Sequence, residues 1–158
     1  MKIFTSYFGN VVRISKAYKM YNTSTQIQYV NIALYPPKSY VNHHAFSELE
    51  PSDNILSGLK RKKITQSQYD YIYSKRLDEL NAKDIYDKCL KLYGDDSIVV
   101  FLCYEKPSEH CHRHLFRQWM ERNGYDVKEF PAHPAVISKI LNKNLKSHEQ
   151  GILEQASI

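Results

Sequence analysis

The stretch Ile98 to Gly124, IVVFLCYEKPSEHCHRHLFRQWMERNG, constrains this chain more than any other. With Ser97 before it, it opens on an almost unbroken apolar run, the pattern of a strand covered on both faces. A short turn containing a proline follows. Apolar residues then recur at helical steps through Trp119 and Met120, with Gly124 as the stop. A buried strand feeding a helix is the unit of a parallel sheet, because parallel neighbours need a crossover connection. Cys103, Glu105, Cys111, Arg113 and three histidines (His110, His112, His114) crowd the place where the strand and helix meet.

The flanks supply the rest of such a sheet. Lys2 to Phe8 (KIFTSYF), closed by Gly9-Asn10, predicts a first buried strand. Ile27 to Leu34 predicts a second, stopped by Tyr35-Pro36-Pro37. Between them, Lys16 to Tyr21 reads equally as a short helix or as extended chain. Residues 38–52 are irregular and polar, and His43-His44 within them are expected to face solvent rather than a metal. Three helices follow. The first runs from Ser52 or Asp53 through about Lys60. The second opens at Thr65, three residues before Gln68 in capping-box spacing, and runs to about Leu80. The third starts at Ala82 or Lys83, carries Ile85, Tyr86, Cys89, Leu90 and Tyr93 on one side, and stops at Gly94. Tyr125 to Phe130 alternates like a strand and is ended by Pro131 and Pro134. Val136 to Leu145 predicts a terminal helix, with the chain after about residue 146 loosely held. Strands separated by helices imply one compact three-layer α/β domain over residues 1–158, with a mostly parallel central sheet and Rossmann-like layering.

Composition sets the outer bounds. A chain of 158 residues with 42% hydrophobic content suits a single core. No apolar stretch approaches the roughly 20 residues that span a bilayer, so no membrane partner is expected. Three cysteines (Cys89, Cys103, Cys111) without a secretory signal predict free thiols in a reducing cytoplasm. The net charge of +5 favours anionic partners: nucleotides, nucleic acid or an acidic protein surface. Much of it sits in Lys60 to Lys63 and in Lys139, Lys143 and Lys146, which read chiefly as solvated faces. The 13 tyrosines are unusual, and some are placed to line a polar cleft.

At 100° per residue, a helix starting near Glu109 to Cys111 gathers Cys111, Leu115, Phe116, Trp119 and Met120 on one half of its circumference. His112 projects near the middle of that half, Arg113 at its edge, and His114 toward water. A helix start offers unpaired N–H groups and a positive dipole end, which favour a thiolate at Cys111 and an anion held with the Arg113 fork. Four readings stay open. The junction binds an anionic ligand, with Glu105, His112 or Cys111 doing acid–base or nucleophilic work. Alternatively, Cys103, Cys111 and one histidine bind zinc, although C-x7-C-H is no familiar finger and a fourth ligand is not evident. Cys103 and Cys111 could instead form a redox pair. Finally, the residues are structural: His112 a satisfied buried histidine, Arg113 an ion-pair partner and the cysteines filler. No metal and no cofactor are expected.

Leu102-Cys103-Tyr104-Glu105-Lys106 followed by Cys111-His112-Arg113-His114-Leu115 and Trp119 resembles the hallmark of the domain of unknown function 488 family, small bacterial and phage proteins. Lys2 to Asn10, Ile32 to Lys38 and Leu49 to Leu80 are similar to that family's opening strand, second strand and helical middle, so the resemblance covers most of residues 1–130. It implies a compact Rossmann-like α/β fold with Cys103, Glu105, Cys111, His112 and Arg113 as the signature site. It brings no settled reaction. His110 and the tail after Phe130 depart from the family pattern.

The expectation is therefore a pocket at the ends of the first and fourth strands that binds a small anionic ligand, a nucleotide or nucleic-acid fragment. Glu105, Cys111 and His112 are its catalytic candidates for hydrolysis or group transfer. Ser6, Tyr7, Cys103, Lys106 and Arg113 are its binding candidates. The alternative is a non-catalytic interaction or inhibitor protein, for example phage-encoded, that sequesters a nucleotide or covers a host protein.

Overall fold

A computed structural model of the chain describes residues 1–21, 26–40, 46–131, 133, 135–137 and 139–140. Four strands, β1 (Lys2–Tyr7), β2 (Ile27–Asn31), β3 (Ile98–Cys103) and β4 (Val127–Glu129), form one sheet in the order β2-β3-β1-β4. All three pairings are parallel. Among the described residues, the helices packed around it are α1 (Val11–Tyr21), α2 (Asp53–Lys60), α3 (Gln66–Asp78), α4 (Ala82–Tyr93) and α5 (His112–Arg122).

The connections run in opposite directions across the sheet. From β1 the chain passes through α1 over the place of β3 to reach β2. From β3 it passes through α5 over the place of β1 to reach β4. Right-handed crossovers in opposite directions put their helices on opposite faces. The two cores agree. Val11, Ile14 and Ala17 of α1 pack with Phe4, Ile98, Val100 and Leu102. Tyr69, Tyr73, Leu77, Ile85, Cys89, Phe116 and Trp119 pack with Ile3, Val99 and Phe101 on the other side. Alternate residues of β3 thus feed alternate cores, and every residue of that strand is buried. The result is three layers, helix on sheet on helices.

Local chemistry explains the boundaries. β1 ends at Tyr7 because Phe8–Asn10 winds into a 3-10 turn that leads straight into α1. The undecided segment is helical from Val11 to Tyr21, since its buried residues at three-residue steps face the sheet. β2 ends three residues earlier than predicted, at Asn31, whose side chain donates to the Ala33 carbonyl (3.0 Å) and accepts from its N–H (2.9 Å). The capping box opening α3 is present: Thr65 Oγ1 accepts from Gln68 N–H at 3.2 Å, and Gln68 accepts from Thr65 N–H at 2.8 Å. Gly94 ends α4 at φ 81°. Ser52 occupies the N-cap of α2 without a side-chain cap bond, and Asp53 accepts from the Tyr35 hydroxyl at 2.7 Å. Helical backbone at 135–137 and 139–140 overlaps the start of the predicted terminal helix, whose remainder lies outside the described residues. His43-His44, Pro134, Lys143 and Lys146 lie outside the described residues. The three cysteines are free, and among the described residues no helix is long and apolar enough to cross a membrane.

Candidate functional site

The first turn of α5 sets the site. Cys111 is the N-cap, extended at φ −153° and ψ 141°, so the helix proper starts at His112. Cys111 makes no side-chain cap bond, and its side chain lines a cavity instead. His112 turns inward and is only 7% exposed. Its Nε2–H donates to the Ile32 carbonyl at the end of β2 (2.9 Å), and its ring meets Tyr73 edge-on at 5.2 Å. With Nε2 carrying the proton, Nδ1 holds the free lone pair. It lies 3.6 Å from Cys103 Sγ. The Cys103 thiol in turn points at Glu105 Oε2 (3.4 Å). Cys103 Sγ, Cys111 Sγ and a His112 ring nitrogen all lie within 4.8 Å of one another, all three residues are buried, and among the described residues they are the set that could hold a metal ion.

Protonation follows from these contacts. Burial pushes the His112 imidazolium pKa below the ordinary histidine value, and the Ile32 carbonyl and Glu105 only partly offset it. The hydrogen bond with Cys111, together with burial, holds the Cys103 thiol well above its usual value. At Glu105 burial acts upward, but hydrogen bonds from Cys111, its own backbone N–H and Cys103 outweigh it, and the net shift is down. The resting site therefore pairs an ionised carboxylate with a neutral imidazole and a neutral Cys103 thiol.

These groups form one wall of a cavity of about 350 Å³ at the carboxyl ends of β2 and β3. That is where ligands bind in open α/β sheets. Ala33, Leu34 and Tyr35 line it from the end of β2, and Cys103, Tyr104 and Glu105 from the end of β3. α2 contributes Leu56, Leu59 and Lys60, and α3 contributes Gln66 and Tyr69. The predicted pocket at the ends of the first and fourth strands is therefore displaced to the β2–β3 side. The opposite wall from α2 and α3 was missed. The excess of tyrosine is the one sequence signal of the cavity, which Tyr69 lines from α3 and Tyr35 and Tyr104 line from the ends of β2 and β3.

Several expected site residues stand elsewhere. Arg113 is fully buried and is engaged by protein. Its Nε and Nη2 donate to the Glu129 carboxylate (3.1–3.3 Å), and its Nη1 donates to the Glu105 carbonyl (2.5 Å). Thr5 braces Glu129 with a further hydrogen bond of 2.6 Å. A guanidinium so occupied is a strut between α5, β4 and the β3 exit, not a ligand fork, which corrects the expectation that Arg113 holds the anion. Ser6 is buried and accepts from Asn10, and Tyr7 accepts from Arg13 (3.0 Å), so neither reaches the cavity. Lys106 is exposed, outside the lining. His114 is half-buried rather than turned to water. His110 lines the mouth, with Nε2 2.7 Å from Asp70.

A parallel α/β sheet with cysteine, glutamate and histidine gathered at a strand-end cavity defines the class of protein. Residues 12–124 match the family DUF488-N3a, described as the active DUF488-N3 subclade, and the chain belongs to that family. The family resemblance is thereby upheld. No curated protein and no solved structure matches the chain.

Proposed function

We propose that the β2–β3 cavity binds a small anionic ligand of the nucleotide class and that Glu105 acts on it as a general base in hydrolysis or group transfer. The observation that carries this reading is the cavity itself. Its volume of about 350 Å³ falls in the range of small-molecule sites, and its wall combines an ionised carboxylate with tyrosine rings. Tyr35, Tyr69 and Tyr104 supply flat faces for a base, and Lys60 supplies a cation at the rim for phosphate. The lowered carboxyl pKa keeps Glu105 ionised before substrate arrives, at the expense of its strength as a base, so its place on the cavity wall rather than its basicity supports the base role.

A panel of nucleosides and their mono- and diphosphates, followed by thermal shift and by product analysis, tests both halves. Binding should favour the phosphorylated members and weaken in Lys60→Ala. Glu105→Gln should keep binding and lower turnover by about 10²–10⁴-fold, the ordinary worth of general acid–base catalysis. If no member of the panel shifts the melting temperature, the ligand class is wrong. Binding without product in the wild type, unchanged by Glu105→Gln, makes the protein a sequestering inhibitor instead.

A further inference from the structure

We propose that Cys103, Cys111 and His112 form a three-ligand site for zinc or a similarly thiophilic divalent ion, with the fourth position open to the cavity beside Glu105. This goes beyond the nucleotide reading and does not depend on it, although the two share a wall. Three observations carry it. The ligand atoms of the three residues lie within 4.8 Å of one another. Zinc bonds of about 2.0–2.3 Å in a tetrahedron put ligand atoms roughly 3.5–3.8 Å apart, so a closure of about an ångström completes the set. The Cys103 Sγ to His112 Nδ1 distance, 3.6 Å, already has that spacing.

The second observation is the Ile32 carbonyl, which accepts the Nε2 proton at 2.9 Å. A metal-binding histidine characteristically gives its other ring N–H to a carbonyl or carboxylate, which fixes the tautomer and aims the lone pair. Here Cys103 Sγ lies 3.6 Å from both ring nitrogens, and with Nε2 held by the Ile32 carbonyl it is Nδ1 that a small turn of the ring brings to the ion. The third is charge. Arg113 is fully buried against Glu129 and adds no free cation to the cavity. Ion uptake releases the Cys103 and Cys111 thiol protons to solvent, and the two thiolates and one divalent ion then sum to zero, so the ion can be held at residues 2%, 3% and 7% exposed without leaving a net buried charge. Two sulfurs and one imidazole also match zinc better than magnesium or calcium, which demand oxygen. Three protein ligands with one open position are the pattern of catalytic rather than structural zinc sites. Glu105, whose Oε2 stands 3.4 Å from Cys103 Sγ, flanks that position as the hydrogen-bond partner of a water bound there.

The full chain, stripped with a chelator under reducing conditions, should be titrated with cobalt(II) and, separately, with zinc. Expected are one equivalent of ion per chain, an intense thiolate-to-cobalt charge-transfer band, displacement of that band by zinc, and a rise in melting temperature with added zinc. Cys111→Ser and His112→Ala should each weaken zinc binding by more than about tenfold, whereas Cys89→Ala should leave it unchanged. The wild-type band needs no variant, so a misfolded mutant does not blunt the test. Absence of the band, or a band that survives both substitutions, overturns the proposal. So does a Cys103–Cys111 disulfide forming in air with no uptake of ion. Nucleotide binding measured on the stripped and the zinc-loaded chain separates failure of this site from failure of the ligand reading.

Discussion

Arg113 carries a charge into a place without water, and Glu129, with Thr5 behind it, makes that tolerable. Removing one partner of such a buried pair strands the other, which costs about 3–5 kcal/mol. Arg113→Ala should therefore lower the urea midpoint severely, and Arg113→Lys should recover little of the loss, because one ammonium cannot serve both Glu129 and the Glu105 carbonyl. A stable Arg113→Ala chain would show that the strut is dispensable. Tyr73 poses a smaller version of the same question. Its hydroxyl donates to the Leu49 carbonyl at 2.6 Å inside the core. Tyr73→Phe should cost about 1–3 kcal/mol by leaving that carbonyl unpaired, read as a midpoint shift at constant slope. At this scale the helical wheel gives directions but not partners. It turns His112 inward, as found, yet nothing within one helix announces that Glu129 on β4 takes the Arg113 fork. The same limit hid Leu56, Leu59, Gln66 and Tyr69, which reach the cavity from helices whose sequence signals mark where they start and stop but not what they face.

Among the elements, α4 shows how strongly a single stop residue can act. Gly94 sits at φ 81° and ψ 167°, a region essentially reserved for glycine, although a Cβ there would touch nothing within 4 Å. Gly94→Ala should thus destabilise by about 1–3 kcal/mol through backbone strain alone, and a neutral result in thermal melts would mean the turn relaxes freely. This element was legible from Ala82 to Gly94 because its apolar stripe and its stop agree. So was α3, whose capping box is written in Thr65 and Gln68. α1 was not. Val11 to Tyr21 mixes β-branched, aromatic and charged residues, and only the sheet it covers decides for helix. β2 read too long for a related reason: Ile32 and Ala33 stay apolar because they are buried beyond the strand, while Asn31 has already turned the backbone.

At the scale of the whole molecule, acids buried in neutral form link stability to pH. Burial pushes the Cys89 thiol from 9.0 up to about 12, and burial with the nearby Cys89 takes the Tyr93 phenol from 10.0 to about 12. In both cases the folded pKa lies above the unfolded one. Their contribution is whole below about pH 9 and is lost as the pH climbs toward 12, because the unfolded chain releases protons that the folded chain keeps. Urea midpoints should fall steadily across that window, and Cys89→Ala should flatten the fall. A wild-type midpoint constant up to pH 11 would contradict the assignment.

The strand order has a temporal side. β1 lies inside the sheet, yet its neighbours are Ile98–Cys103 on one edge and Val127–Glu129 on the other, with Lys2 opposite Ile98 and Ile3 opposite Val127. During synthesis β1 is thus without either neighbour until almost a hundred further residues have been made, about 5–20 s at ordinary synthesis rates. Throughout that interval its apolar residues and both rows of backbone hydrogen-bonding groups stay unpaired, a template for mispairing between nascent chains. Such long-range closure also slows refolding in vitro, because loop entropy must be overcome before the contacts form. A fragment ending before Ile98 is accordingly expected to aggregate where the full chain does not, and light scattering of the two at equal concentration measures the difference.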